Sequence, residues 1–310
     1  MQERILVYGG TGSGKSTSWL TIARQHQIDL SKSIFYCVDT DKSTERLLGT
    51  EFKDIHNVKV IPARTWETAK KALEDLAPTL TKDDWLIIDK IDPLWSFVQN
   101  YFTQNTFHKS IDEYFLQLRK SLNGGSKLEA FKGWTDWNVM NATYQALIDP
   151  VMYDYDYNIF ITAKSKDYDP KSDTEDVELK ESFSVVGHQP EGEKRNADRC
   201  HTVLYFNHDI NGYYVTTVKD RGRKQLKEFP FKNFAETYNK IINDEMPTME
   251  VNEIRDAANK EQQYKTFGKW LDKNHVRWTE AREILGIGEN DEIADYHVAQ
   301  NKIKEAKGIT

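Results

Sequence analysis

The sequence predicts an α/β protein, a mainly parallel β-sheet flanked by helices, with a small helical domain at the C-terminal end. Three observations predict it. A short apolar run, Arg4-Ile5-Leu6-Val7-Tyr8, feeds into a glycine-rich turn that enters a helical segment. Further apolar runs of strand length, at 34–38, 58–61, 85–88 and 159–161, alternate with helical patterns, the rhythm of parallel strands joined by crossover helices. The chain has 310 residues, 38% hydrophobic and 29% charged, enough for one full α/β core and an appendage.

The first strand ends in Gly9-Gly10-Thr11-Gly12-Ser13-Gly14-Lys15-Ser16-Thr17, which fills the phosphate-loop pattern G-x-x-x-x-G-K-[ST] with Gly9, Gly14, Lys15 and Ser16. Glycines let backbone N–H groups close around phosphate oxygens, and the following helix turns its positive end to the same anion. Gly10, Thr11, Gly12, Ser13, Gly14, Lys15, Ser16 and Thr17 are therefore the candidate nucleotide-binding residues. Lys15 is placed to reach the β- and γ-phosphates of ATP, and the Ser16 hydroxyl to ligate Mg2+. A chance glycine-rich turn is the bland alternative, and the strand-loop-helix context outweighs it.

Ile34 to Val38 has the composition of a strand buried on both faces, and it leads to Asp39-Thr40-Asp41. A short helix from Ser43 to Leu48 carries Glu45. Val58 to Ile61 is a strand, and Thr65 to Leu76 an amphipathic helix closed by Pro78. Trp85-Leu86-Ile87-Ile88-Asp89 is the second nucleotide signature, a buried strand whose terminal carboxylate orients Mg2+ or its water. Asp92 is read as capping or turning the chain into Pro93 rather than holding metal. A capping box at Ser110 to Glu113 opens a helix to about Leu122. Between 120 and 134, Lys120, Lys127 and Lys132 are interleaved with Phe131 and Trp134. That composition suits contact with single-stranded nucleic acid, and equally a solvated loop.

A helix capped by Thr135 or Asp136 runs to about Asp149. Asn158 to Thr162 is the next central strand, ending near Lys164. Residues 166–200, rich in charge and glycine, are expected to form a flexible loop. His201 to Phe206 and Tyr213 to Val218 form a hairpin turned at Asn211-Gly212. Lys219 and Arg221 stand directly after it. A basic cluster there is ordinarily a solvated face. At a sheet edge, its sharper reading is cations that reach a γ-phosphate held by a neighbouring subunit and offset the charge of the transferring phosphoryl group. A helix follows from Phe231 to Asp244, and Met246-Pro247-Thr248 marks a boundary between a core domain, 1–246, and a helical domain, 251–310. In the latter, 262–274, 279–285 and 292–307 are the clearest helices.

A net charge of −7 argues against a strongly basic nucleic-acid coat without excluding a local basic groove. Two cysteines, Cys37 and Cys200, give no disulfide framework and read as small buried residues. Cys200, His201 and His208 lack a fourth ligand at zinc-site spacing. No run reaches the length needed to span a bilayer, and the chain enters its first strand with no room for a targeting peptide, so a cytoplasmic location is expected.

Taken in order, the Gly9-to-Ser16 loop, Val38-Asp39-Thr40-Asp41, Leu86-Ile87-Ile88-Asp89, Ile159-Phe160-Ile161-Thr162 and Val218-Lys219-Asp220-Arg221 resemble the RecA-like P-loop ATPase core over about residues 1–245. The resemblance is closest to phage-encoded AAA-family nucleotide-binding proteins, which include single-strand-annealing-type recombinases. It implies ATP hydrolysis with Mg2+ at a subunit interface and assembly of a homo-oligomer on single-stranded DNA in recombination or replication. By the same resemblance, Asp41 matches the acidic residue that polarises the attacking water. The family's usual residue there is glutamate, and Glu45 is the substitute candidate. Lys15 and Ser16 bind phosphate and metal, Asp89 holds the metal, and Lys219 and Arg221 match the trans-acting cations. Lys90 stands where a small hydroxyl residue is common, and Lys164 occupies the approximate sensor position. The alternative is an ATP-driven switch or loader that engages a protein partner through 251–310, with little DNA contact. A small-molecule kinase is a third reading, for which no acceptor-binding lid is evident.

Overall fold

The computed structural model describes residues 2–121, 131–170, 176–220, 228–243, 264, 267–288, 293 and 296–308. Contacts divide the chain into two units, Met1–Thr248 and Met249–Thr310.

In the first unit, β1 (Arg4–Gly9), α1 (Lys15–Ile28), β2 (Phe35–Asp39), α2 (Ser43–Leu48), β3 (Val58–Pro62), α3 (Trp66–Leu76) and β4 (Trp85–Asp89) follow the predicted alternation. Thr65 caps α3 by accepting from the Thr68 N–H. The sheet has nine strands in the order β3-β2-β4-β5-β1-β7-β8-β9, with β6 paired to β5. The five pairings among β1 to β5 and between β1 and β7 are parallel. The hairpin β7 (Thr202–Asp209) and β8 (Gly212–Asp220), and then β9 (Glu228–Phe231), extend the sheet antiparallel.

Because alternate strand residues face opposite sides, each central strand supplies two cores. Ile5, Val7, Cys37, Ile87 and Phe160 pack with Trp19 and Leu20 of α1 and with Phe234 of α9 (Phe234–Asn243). Leu6, Tyr8, Val38, Ile88 and Ile161 pack on the other face, with α3, α4 (Asp92–Phe107) and α6 (Gly133–Tyr153). Both cysteines are buried in these cores. The whole arrangement is the α/β P-loop architecture, with β5 (Asn158–Asp167) between the strand that carries the loop and the strand that carries Asp89.

Several elements differ from expectation. The stretch from Asp92, given no helix from the sequence, forms the 16-residue α4, in which Leu94, Val98 and Phe102, four residues apart, give the buried stripe. The described part of 166–200 is ordered rather than a loop. It forms α7 (Val177–Val186), β6 (His188–Pro190) and α8 (Asn196–Arg199), and Leu179, Phe183, Ala197 and Cys200 anchor it in the core. α5 (Ile111–Ser121) keeps its capping box, with Ser110 N–H bonded to Glu113 and Glu113 N–H to Ser110. α6 starts at Gly133, ahead of Thr135, and continues through Pro150 to Tyr153. The extra strand β9 precedes α9. Lys127 and Arg221 lie outside the described residues.

In the second unit, 267–273, Trp278–Leu285 and Tyr296–Lys307 are helical. Phe267, Leu271, Val276, Ala281, Ala299 and Ile303 make its small core. No helix among the described residues is long and apolar enough to cross a membrane.

Candidate functional site

The glycines of the loop answer to backbone demands. Gly12 and Gly14 have φ of +80° and +90°, where a side chain is strained. Gly9 serves the sheet instead, for a Cβ there would lie 2.2 Å from the carbonyl oxygen of Phe206 on the neighbouring strand β7. Lys15, 6% exposed, folds back over the loop, and its ammonium donates to the carbonyls of Gly9 at 2.9 Å and Gly10 at 2.7 Å. Burial lowers its pKa to about 8, the charge of Lys90 adds to the shift, and Asp89, Asp92 and Asp41 oppose it. A phosphate in the loop would meet this buried cation.

Asp89 is fully buried at the end of β4 and accepts from four neutral donors. On Oδ1 these are the Ser16 hydroxyl at 3.2 Å and the Thr162 hydroxyl at 2.5 Å. On Oδ2 they are the Trp19 indole N–H and the Thr44 hydroxyl, each at 3.3 Å. Sheet register explains the gathering, since Asp89 is paired with Thr162 on β5 and with Asp39 on β2. A carboxylate beside a serine hydroxyl is a hard oxygen donor set, which fits Mg2+.

Lys90 lines the same cleft, and its ammonium pairs with the carboxylate of Asp41. Asp41 also accepts from the Ser43 N–H at 3.0 Å. Burial works to raise the Asp41 pKa, but the bonds from Lys90 and Ser43 prevail and hold it below the usual carboxylate range. Glu45 sits in the first turn of α2. Lys164 lines the cleft from β5, and its N–H donates to Asp92 at 3.1 Å. Burial raises the pKa of Asp92.

The cleft, about 460 Å³, thus brings together Lys15, Ser16, Ser43, Lys90 and Lys164. Its far wall was not foreseen from the sequence: Tyr213 of β8 and Phe231 of β9 stand with ring centroids 5.8 Å apart, both within 3.9 Å of where a Cβ on Gly14 would sit. Thr162, Thr44 and Trp19 were likewise missed as partners of Asp89. Thr162 ends a run read as a central strand, but only the structure places that strand beside β4.

Lys219 faces inward. It is 6% exposed, and its ammonium is held by the carbonyls of Ala197 at 3.3 Å and Asp198 at 3.1 Å, with the Asp176 carboxylate 3.7 Å away. It is remote from the role of a cation offered to a neighbour.

Residues 1–224 match the family profile described as an AAA domain. No curated protein matches the chain. Among solved structures, a KaiC-like protein from the hyperthermophilic archaeon Pyrococcus horikoshii is similar, with 12% identity, 74% of this chain and 84% of that chain covered, and a TM-score of 0.40. The match over residues 1–224 is decisive: the chain belongs to the AAA domain family.

Proposed function

For this member of the AAA domain family, we propose a Mg2+-dependent ATPase that acts on single-stranded DNA as an oligomer, in recombination or replication of the phage type. The single observation that carries the catalytic part is the junction of loop and strand end, where Ser16 touches buried Asp89 while Lys15 closes over Gly9 and Gly10. That junction would set a phosphate grip against a carboxylate able to hold the metal.

The chain's residues divide the work. Backbone N–H groups of the loop and the start of α1 bind the phosphates. Lys15 neutralises the distal phosphates, and Ser16 and Asp89 would hold Mg2+, which supplies charge neutralisation at the phosphoryl group. Asp41 positions the attacking water and is itself oriented by Lys90. Lys90 and Lys164 add positive charge on the cleft's open side. Tyr213 and Phe231 offer flat faces for the base.

For shared sites between copies, the trans-acting role passes from Lys219, whose ammonium is engaged within its own chain, to Arg221. The test is steady-state ATP hydrolysis with and without an unstructured oligonucleotide. Stimulation by the oligonucleotide, and none by free nucleosides, supports the reading. Hydrolysis indifferent to the oligonucleotide would favour the switch acting on a protein partner.

A further inference from the structure

A second cavity, about 770 Å³, is lined by residues none of which lines the nucleotide cleft. Its walls come from α4, α6, β5 and the chain after β6. On one side, the indoles of Trp95 and Trp137 stack with centroids 6.0 Å apart and an interplanar angle of 16°. Trp95 is braced from behind by Tyr144 in an edge contact at 5.6 Å, and Trp137 by Phe131 at 5.7 Å. Trp137 is nonetheless 43% exposed, a large outlay of aromatic surface to leave in water. Asn138, Asn141 and Gln145 of α6 line the cavity beside the indoles with amide donors and acceptors.

The opposite side is basic, with Lys166, Lys194 and Arg195 all exposed at the rim. The one carboxylate among the lining residues, Glu193, is spent elsewhere: it is 9% exposed and ion-paired to buried Arg199 at 2.5 Å. Lys166 and Arg195 thus place positive charge at the rim, on a chain whose net charge is −7. Stacking faces, amide groups and cations together match a planar base, its polar edge and its phosphate. An acidic peptide would also use the cations and the amides, but it does not carry a planar ring on every residue to set against the stacked indoles.

We infer that this cavity is the contact site for single-stranded nucleic acid, with bases stacked on Trp137 and phosphates held by Lys166 and Arg195. The inference rests on the proposed function for its partner class and adds where that partner binds. It also supplies a physical link between the two sites. Strand β5 carries Lys164 into the ATP cleft and Lys166 into the second cavity. Gly192, at φ +110°, lets the backbone of the second cavity press against α4: a Cβ there would lie 3.3 Å from the Cα of Asp92, the residue whose carboxylate takes the Lys164 N–H.

The test uses the full chain and a fluorescein-labelled 15-nucleotide oligo-dT, read by anisotropy over a range of salt. Trp137→Ala is expected to weaken binding about tenfold or more. Arg195→Gln is expected to lower the slope of log affinity against log salt by about 0.7, one phosphate contact on a single strand. Both substitutions are at exposed positions, and unchanged ATP binding serves as the control for folding. Wild-type affinity and slope in both variants would overturn the site while leaving the ATPase reading intact. Absence of oligo-dT binding by the wild-type chain would overturn both the site and the nucleic-acid part of the function. Loss of ATP binding by the wild-type chain would instead count against the proposed function. Competition by polyglutamate as strong as that by unlabelled oligo-dT would also overturn the assignment, in favour of an acidic protein partner.

Discussion

Ser16 and Asp89 are 73 residues apart in sequence, and their side chains meet at 3.2 Å, hydroxyl to carboxylate, where the loop helix crosses the end of β4. That contact makes the loop and the strand a single site. It also depends on a cage of neutral donors whose members come from α1, α2 and β5.

The shortest bond in the cage is from Thr162 to Asp89, at 2.5 Å. Thr162→Val keeps the shape and removes the donor, leaving a fully buried carboxylate with one partner fewer. The expected loss is about 2 kcal/mol of folding stability, seen as a lower urea midpoint with an unchanged slope. An unchanged midpoint would mean that the hydroxyl contributes nothing to holding Asp89.

Asp41 and Glu45 are the two candidates for the water-positioning role. Asp41 is tied to cleft-lining Lys90, and among the described residues Glu45 has no such tie. Asp41→Asn should reduce kcat about a hundredfold or more with ATP affinity retained, while Glu45→Gln stays close to the wild-type rate. The reverse pattern would assign the role to Glu45.

Tyr213 and Phe231 stand over the loop as the cleft's aromatic wall. Tyr213→Ala should weaken ATP binding about fivefold to tenfold, in line with about 1 kcal/mol for a stacked ring, and should weaken inorganic triphosphate binding not at all. Equal losses for both ligands would show that the ring shapes the loop rather than the base contact.

His26 gives a pH dependence to stability. It packs edge-on against Phe35 at 5.4 Å, and burial lowers its pKa below the ordinary 6.5. The unfolded chain therefore binds more protons than the folded chain in the window just below pH 6.5, and stability from this group is lost as pH falls through it. His26→Gln should flatten that part of the stability profile, read as urea midpoints between pH 7.5 and 5.5. An identical slope in the variant would remove His26 as the cause.

The loop and Asp89 were legible in the sequence because each is a local pattern with its own chemistry: glycines where φ turns positive, a run of apolar residues ended by a carboxylate. What surrounds them was not, because it depends on strand order. Thr162 reaches Asp89 only because β5 is inserted beside β4, and Lys90 finds Asp41 only because β2 lies on β4's other side. α4 was hidden behind Asp92-Pro93, a pair that starts a helix as readily as it makes a turn. Residues 176–200 looked like loop because their apolar positions are few, yet Leu179 and Phe183 are four apart and suffice to dock a helix. Lys219 lies on β8 itself, paired with Val203, rather than after the hairpin, and its ammonium turns inward to the carbonyls of Ala197 and Asp198.

The central claim is that Lys15, Ser16 and Asp89 make one Mg2+-dependent ATP site. Its most direct measurement is phosphate release from ATP by the wild-type chain, Lys15→Ala and Asp89→Asn, each with Mg2+ and with EDTA. Turnover by the wild-type chain is expected, abolished by EDTA and reduced at least about a hundredfold by each substitution. Turnover that persists in EDTA, or survives either substitution, would contradict it.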